Sequence, residues 1–253
     1  MVKRSVTFFV LFSVLFFSVA VPSFAQKTIT FAAVNWEPYS GEKLPSFGFH
    51  SEITVEAMKR AGYNVQIKFV PWERGLLMVR TGEVDGILTI YYTEERAQTM
   101  LFSAPVTFAT VVLMKRKDSI IQDSYQTLQD LRYYTFSVVR GFASSPEFDS
   151  ADYLKKEFAN SGESNLLKLQ YGRVDMIAEA KENILYLINT DFPEIIGTVE
   201  VLDPPLNVQN VYNAFSKAIP NSQKLVEDFN KSLHELKDDG TYNMIMQKHG
   251  QYE

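Results

Sequence analysis

Apolar positions along the chain follow two alternating periods, which predict strands and helices in succession. Thr28–Val34 places apolar residues at every second position, the period of a half-buried strand. Phe49, Ile53 and Ala57 then recur every four residues, which is typical of one helix face. The pattern continues with a strand around Val65–Phe69, a helix opened by a proline, and a strand over residues 84–91. Strands separated by helices of this length predict βαβ units and a mostly parallel sheet.

A similar succession restarts after residue 130. The further strands that we predict are Tyr134–Val139, Arg173–Ala178, Thr198–Leu202 and Val211–Ser216. The further helices that we predict are Phe148–Phe158, Lys181–Asn189, Ser222–Leu236 and Tyr242–Lys248. Two α/β units with a return of the chain at its end indicate two lobes with a cleft between them. Ligands bind in such clefts, beyond the carboxyl ends of parallel strands.

Residues 1–25 have the pattern of a secretory signal. Lys3 and Arg4 precede the apolar run Phe8–Val21, and small residues lead to a cleavage site after Ala25. The alternative is a membrane anchor, but about 14 apolar residues are short for a bilayer span, which needs about 20. We therefore expect an exported protein whose mature chain begins after the signal.

Composition narrows the classes of function. The chain has 253 residues, with 25 Lys and Arg against 30 Asp and Glu, and this acidic excess argues against nucleic acid as a partner. It has no cysteine, which excludes disulfides, a cysteine nucleophile and a lipid-modified amino-terminal Cys. Its three histidines are too scattered for a metal motif, so we expect no metal and no cofactor. An exported protein without a lipid anchor is expected to lie free in the periplasm.

Aromatic and charged residues follow the first three predicted strands, where a ligand would bind. Trp36 and Tyr39 come after the first strand, and Trp72 comes after the second. Their rings can stack on a flat or apolar ligand, or they can simply cover the sheet. Tyr91 and Arg96 follow the third strand, and Arg96 lies about one turn into a helix. A guanidinium at a helix amino end can hold a carboxylate, or it can be a solvated surface group.

The second half offers a comparable set of polar positions. Arg140, Gly141 and Phe142 lie between a strand and a helix, where backbone N–H groups can cradle an anion. Glu179 ends a predicted strand and can meet a ligand cation, or it can be a surface carboxylate. The sequence contains no nucleophile elbow, no glycine-rich phosphate loop and no His-Glu metal motif.

Several segments, taken in order, resemble family 3 of the periplasmic solute-binding proteins, the polar amino-acid receptors of ABC importers. The segments are Phe47–Ile53, Gly82–Leu88, Thr93–Arg96, Phe102–Val106, Gly172–Asp175 and Leu236–Tyr242. The resemblance implies the two-lobed α/β fold of type II periplasmic binding proteins, in which each lobe has a central, mostly parallel sheet flanked by helices. It also implies lobe 1 over residues 26–113 plus 214–253 and lobe 2 over residues 116–210. The hinge would lie near Met114–Arg116 and Asn210–Asn213.

The resemblance assigns roles to residues at matching positions. Arg96 matches the arginine that holds a ligand carboxylate, and Thr89 matches a small hydroxyl residue near it. Trp36 or Tyr39, together with Trp72, match the aromatic positions that flank the ligand. The loop that begins at Gly141 matches the lobe 2 loop that contacts the carboxylate.

Departures from the family pattern concern the same site. Tyr91 is bulky where a small residue is common, and Phe142 stands where a hydroxyl residue is usual. Ala180 stands where the family has an aspartate for the ligand ammonium. Glu179 precedes it, and strand alternation points its side chain to the opposite face unless the strand has already ended there. The resemblance thus retains the carboxylate clamp and leaves the ammonium partner open.

We therefore expect a monomeric, non-enzymatic receptor that captures a small carboxylate-bearing ligand, an amino acid or a related organic acid. Lobe closure would present this small-molecule ligand to the permease of an ABC-type importer. One alternative is a periplasmic dehydratase-like enzyme on the same fold, with Glu179 or Glu37 as general acid. Another is a ligand-sensing accessory to a membrane signalling protein.

Overall fold

The structure is a computed structural model that describes residues 27–251, apart from residues 120 and 122. The predicted signal, residues 1–25, lies outside these described residues. Within them, none of the helices combines the length and the apolar character that crossing a membrane requires.

The described chain alternates between strands and helices. The strands are β1 (Lys27–Ala33), β2 (Tyr63–Phe69), β3 (Gly86–Ile90), β4 (Met100–Phe102), β5 (Thr107–Arg116), β6 (Thr135–Val139), β7 (Lys155–Ala159), β8 (Met176–Ala180), β9 (Val199–Val201) and β10 (Asn207–Ser216). The helices are α1 (Phe49–Arg60), α2 (Trp72–Thr81), α3 (Glu94–Thr99), α4 (Pro146–Ser150), α5 (Gly162–Gln170), α6 (Lys181–Thr190), α7 (Ser222–Asp238) and α8 (Thr241–Lys248).

The strands form one continuous sheet with two parallel ends. Its order is β2-β1-β3-β10-β5-β8-β6-β7, with β4 paired to β10 and β9 paired to β5. Strands β2, β1 and β3 are parallel at one end, and β8, β6 and β7 are parallel at the other. Antiparallel β10 and β5 join the two ends through pairing of residues 107–111 with 207–211. The predicted α/β class, with a mostly parallel sheet on each side, is confirmed.

Each end of the sheet has its own hydrophobic core on both faces. In the first half, α1 and α7 pack together over one face, where Ile53 and Phe229 are fully buried. In the second half, Phe136 is buried on one face and Ile184 on the other. Full burial of such a side chain contributes about 1.5–3 kcal/mol, so each half is held together by its own core.

The predicted helix Phe148–Phe158 is wrong. Ser145 caps a short helix, α4, by accepting a hydrogen bond from the Phe148 N–H at 3.2 Å, and Ala151 ends it with extended backbone angles. The chain then forms β7, which pairs with β6 as an edge strand and is mostly exposed. Because an edge strand needs no apolar face, its residues carry no alternating pattern to predict it.

Three further elements, β4, β5 and α5, were not predicted, and one strand, β8, is shifted. Helix α5 begins after Ser161, whose hydroxyl accepts a hydrogen bond from the Ser164 N–H at 3.2 Å. Strand β8 runs from Met176 to Ala180, two to three residues later than the predicted strand. Predicted helices α1, α6, α7 and α8 agree with the structure to within two residues.

Candidate ligand-binding cleft

A cavity of about 410 Å³ lies between the two halves of the molecule. Most of its walls come from residues at or just after the carboxyl ends of strands β1 and β2 on one side and of β6, β7 and β8 on the other. The lining residues are Val34, Asn35, Trp36, Glu42, Phe69, Val70, Pro71, Trp72, Val139, Phe142, Asn160, Ser161, Gly162 and Glu179. The cavity therefore sits at the carboxyl ends of parallel strands, as the sequence predicts for a ligand cleft.

Aromatic rings from both halves meet at this cavity. Trp36 stacks on Tyr39, with ring centroids 4.3 Å apart and an interplanar angle of 16°. Phe142, from the second half, inserts among rings of the first half, with centroids 5.8 Å from Trp36, 5.9 Å from Trp72 and 5.7 Å from Tyr91. Edge-to-face contacts of this kind add about 0.5–1.5 kcal/mol each beyond burial. The aromatic cluster thus holds the halves together in a closed arrangement.

Arg96 is engaged by the protein's own backbone. Its guanidinium donates hydrogen bonds to the Tyr91 carbonyl at 2.7 Å and to the Gly141 carbonyl at 2.8 Å. It also lies over the Trp72 ring, 5.2 Å from the centroid. Desolvation lowers the pKa of Arg96 to about 10, so the group stays charged at neutral pH. The bond to Gly141 crosses between the halves and, with the bond to Tyr91, fixes the direction of the guanidinium.

The position of Arg96 follows from its local sequence. Thr93 caps α3, and its hydroxyl accepts a hydrogen bond from the Arg96 N–H at 3.2 Å. The first turn of α3 holds two glutamates, whose negative charges interact favourably with the positive amino end of the helix dipole. Arg96 follows them as the third residue of the helix. Its side chain then reaches back over the helix start toward Tyr91, as the sequence predicts.

Glu179 is buried in the wall of the cavity, with 2% of its surface exposed. Its carboxylate accepts hydrogen bonds from the Ala180 N–H at 3.1 Å and, weakly, from the Asn165 side-chain amide at 3.5 Å. Burial raises the pKa of Glu179 to about 7, and the indole N–H of Trp36 is among the groups that lower it. Trp36 Nε1 is buried beside the carboxylate without a well-formed hydrogen bond to it.

Strand alternation alone would point Glu179 away from the cleft, but the structure places its side chain in the cavity wall. Both faces of β8 are buried, and its last residue, Ala180, begins helix α6. At the end of the strand the side chain reaches the cleft from the α5 side of the sheet. Gly162 leaves the space that this requires, because a Cβ atom there would lie 3.2 Å from Glu179 Oε2 and 2.8 Å from Asn183 Oδ1.

Two predicted residues lie behind the aromatic wall and line neither this cavity nor the larger one described below. The Tyr39 hydroxyl donates to the Phe108 carbonyl at 3.0 Å. Thr89 is buried with a φ of 54°, and its hydroxyl lies 3.3 Å from the Ser40 hydroxyl. A positive φ is rare for a β-branched residue, and such strained backbone is concentrated at functional sites. These residues support the wall from behind.

The structure does not bring Arg140 into the cleft. It is exposed, and its guanidinium lies over the Phe158 ring, 4.9 Å from the centroid. Trp36, Trp72, Phe142 and Glu179 do come together around one cavity. Tyr91 is buried beside them, 5.7 Å from Trp36 between ring centroids.

The sequence did not predict the roles of two asparagine side chains, Asn183 and Asn165, which form hydrogen bonds around the cavity. Asn183 donates a hydrogen bond across the cleft to the Glu37 carbonyl at 2.7 Å. Asn165 lies on α5, where its amide faces Glu179 and its carbonyl accepts from Ser137 at 2.7 Å. A serine at position 161, followed by a helical pattern, was the available signal for α5, and hence for Asn165.

A larger cavity, of about 750 Å³, lies on the other side of Phe142 and Arg96. Its charged lining mixes both signs. The charged residues are Glu73, Arg80, Glu95, Arg96, Asp149, Asp152 and Lys156. Burial raises the pKa of Asp149, while Lys156 and Arg96 counteract this effect. The described residues contain no group of three or more His, Asp or Glu side chains arranged to hold a metal ion.

Comparison with known proteins identifies the family. The family of bacterial extracellular solute-binding proteins, family 3, matches residues 31–252. The chain belongs to this family. The resemblance in sequence motifs is therefore confirmed, and the two-lobed fold of type II periplasmic binding proteins accounts for the two halves and their cleft.

Individual relatives of this solute-binding protein are distant. It is 25% identical over 207 residues to the probable amino-acid-binding protein YxeM of Bacillus subtilis (strain 168), which covers 80% of this chain and 75% of the relative. It is 24% identical over 234 residues to a probable histidine-binding protein of Campylobacter jejuni subsp. jejuni serotype O:2, which covers 89% of this chain and 86% of the relative. These names describe binding proteins.

A solved structure shows the same fold. A mutant of ArgBP from T. maritima superposes with a TM-score of 0.74 at 23% identity, covering 89% of this chain and 96% of that chain. At this identity the likeness concerns the fold alone.

Proposed function

We propose that this solute-binding protein is a periplasmic receptor that captures a small solute, an amino acid or a molecule of similar size, and delivers it to the permease of an ABC-type importer. The cavity between the halves carries the proposal. It has about 410 Å³, within the usual range of small-molecule sites, and combines an aromatic lining with one buried polar group. The relatives named as amino-acid-binding and histidine-binding proteins support this ligand class.

Within this proposal, four residues contact the solute. Trp36, Trp72 and Phe142 form the walls, and Glu179 is the polar anchor. Tyr39, Thr89 and Tyr91 hold the wall in place, and Arg96 with Gly141 latches the halves together. Neither predicted alternative, the dehydratase-like enzyme or the signalling accessory, is favoured by an observation in the cleft.

Uptake of the solute requires the halves to separate and close again. Hydrogen bonds between described residues that cross the cleft and would break on opening include those from Arg96 and Trp72 Nε1 to the Gly141 carbonyl and from Asn183 to the Glu37 carbonyl. The lobe boundaries, residues 26–113 plus 214–253 and 116–210, stay a prediction. The paired strands β5 and β10 lie between the halves, where bending would separate them. A solute that contacts both halves would shift the population toward the closed form.

Intrinsic fluorescence provides a direct test of this function. The chain has only two tryptophans, Trp36 and Trp72, and both line the cavity. We expect saturable fluorescence changes when the mature protein, as a monomer, is titrated with non-aromatic amino acids. Trp36→Phe and Trp72→Phe would each retain part of the signal, because each removes one of two reporters in the same site.

A parallel melting experiment separates binding from quenching. A true ligand at 1,000-fold excess over Kd adds about 4 kcal/mol to the free energy of unfolding. The proposal is contradicted if no amino acid or molecule of similar size changes either the fluorescence or the melting temperature.

A further inference from the structure

Charges in the smaller cavity have one sign. Two carboxylates, Glu42 and Glu179, line it, and no Lys, Arg or His is among its lining residues. The remaining walls are aromatic, aliphatic or small and polar. A cavity with this lining repels an anion unless some other group supplies positive charge.

Glu179 lacks a cationic partner within the described chain. Its contacts are the N–H of Ala180, the amide of Asn165 and, farther away, the indole N–H of Trp36. Buried carboxylates are normally paired with a cation, since burying an uncompensated charge is costly. Glu179 is therefore a buried carboxyl group with no cationic partner among the described residues. Its raised pKa leaves it partly protonated near neutral pH, and a bound cation would favour its ionised form.

Two further polar atoms beside Glu179 are buried and unpartnered. Trp36 Nε1 and the Tyr91 hydroxyl make no hydrogen bond with any described residue, although the exposed fractions of these side chains are only 4% and 3%. The Glu179 carboxylate is close enough to Tyr91 to contribute to the raised pKa of its hydroxyl. A neutral tyrosine hydroxyl can accept a hydrogen bond from an N–H cation.

The aromatic walls add a second attraction for a cation. Trp36, Trp72 and Phe142 bring three rings to one cavity. The face of an aromatic ring attracts a cation, and enclosures of several rings are used to recognise organic ammonium groups. Arg96 already lies over one face of Trp72, 5.2 Å from its centroid.

A ligand carboxylate has no equivalent partner here. Arg96 donates to the Tyr91 and Gly141 carbonyls and lines the larger cavity instead. The amino end of α5 carries a positive partial charge, but Glu179 already lies beside Gly162, its first residue. The two backbone carbonyls hold the Arg96 guanidinium at the larger cavity, away from the lining of the smaller one.

We propose that the smaller cavity recognises its solute through an organic cation, held by Glu179 between the rings of Trp36, Trp72 and Phe142, and needs no carboxylate on that solute. The inference rests on the proposed function as a solute receptor and names the class of solute. Amino acids bind through their cationic group. Decarboxylated amines bind as well, and acids without a cation do not.

Calorimetric titration of matched ligands tests this inference on the unaltered mature protein. The pairs are arginine with agmatine, lysine with cadaverine, and histidine with histamine, and the trio is phenylalanine, phenethylamine and 3-phenylpropionate. We expect at least one amine to bind within about threefold of its parent amino acid or more tightly. The acid should bind at least about tenfold more weakly, because a charged hydrogen bond is lost.

A pair of charge-neutralising variants locates the effect. Glu179→Gln should weaken binding of the amine about 10- to 100-fold, since an ionic hydrogen bond becomes a neutral one. Glu163→Gln is the matched control, because Glu163 is an exposed carboxylate in the first turn of α5 that does not line the cavity. It should leave the affinity unchanged within about twofold, as expected for an exposed charge.

The outcomes separate this inference from the proposed function. If amino acids and acids bind but amines do not, the inference is overturned and the receptor function stands, with Arg96 as the carboxylate clamp. Equal loss of affinity in both variants would also overturn it. If no probe of any class binds, both the inference and the receptor function fail.

Discussion

The two cavities on either side of Phe142 differ in charge more than in size. The larger, of about 750 Å³, contains Arg80, Arg96 and Lys156 beside four carboxylates, so its charges compensate one another. The smaller, of about 410 Å³, contains the buried Glu179 without a cation. A buried carboxyl group without a cation indicates a ligand more clearly than volume does, because only a proton or a bound cation can offset the cost of burying its charge. The contrast supports the proposal that the smaller cavity selects the solute.

The largest expected effect is a difference in the free energy of unfolding between a variant in the aromatic wall of the smaller cavity and a variant in the wall of the larger one. Trp36→Ala is expected to lower the free energy of unfolding by about 3–5 kcal/mol, because a fully buried indole is replaced by a void. Leu76→Ala, in the wall of the larger cavity, removes a half-buried side chain and should cost less than about 2 kcal/mol. Urea unfolding of both variants measures the difference. Equal costs would contradict the assignment of Trp36 to a packed wall shared by both halves.

The pH dependence of stability provides a second contrast. Burial raises the pKa of Glu179 from 4.5 to about 7, so the folded state holds a proton that the unfolded state has lost in this range. The free energy of unfolding should therefore fall by about 3 kcal/mol as pH rises from 4.5 to above 7. Tyr91, the titratable group near Glu179, stays neutral throughout, because its pKa is raised well above 10.

Glu179→Gln isolates this contribution, since other titrating groups cancel between variant and parent. The difference in unfolding free energy between the two proteins should change with pH over this window, with the variant gaining relative stability above pH 7. Asp149→Asn, in the larger cavity, should show a change of the same sign and smaller size, because Lys156 and Arg96 offset the burial of Asp149. A pH-independent difference for Glu179→Gln would contradict the uncompensated charge.

Arg140→Ala is expected to have the smallest effect. Its guanidinium contacts only the exposed Phe158 ring among the described contacts, which is worth less than about 1 kcal/mol. Affinity for any solute should stay within about twofold of the parent, as measured by calorimetry. A large loss of affinity would show that Arg140 enters the cleft during binding.

Much of the fold could be predicted because its elements carry local patterns. Helices α1 and α7 repeat apolar residues on one face, and α6 begins directly after a buried strand. Strand β7 could not be predicted, because its mostly exposed residues need no apolar face at the edge of the sheet. Helix α5 was not predicted because the only local sign of its beginning is the capping residue Ser161.

For the site, the sequence predicted which residue types lie near the cleft better than it predicted their contacts. Trp36 and Trp72 follow strands β1 and β2, so their place at the cleft follows from topology. The contact of Arg96 with the Gly141 carbonyl could not be predicted, because the two residues lie 45 positions apart in the sequence. Its role as a carboxylate clamp stays a prediction. Strand alternation predicted that the side chains of Glu179 and Ala180 point to opposite faces of the sheet. It could not predict that helix α5 and the end of β8 together leave the Glu179 side chain in the cavity wall.

The sequence by itself determined the order of strands and helices, the family and the aromatic residues available at the cleft, because each depends on local periodicity or on motifs of a few residues. Only the tertiary structure decided that Phe142 enters a ring cluster from the other half, that Arg96 binds a backbone carbonyl and that Glu179 is buried without a cation. These properties depend on which groups meet across the cleft. The physical reason is that burial and charge compensation are sums over neighbours in space, and most of those neighbours are distant along the chain.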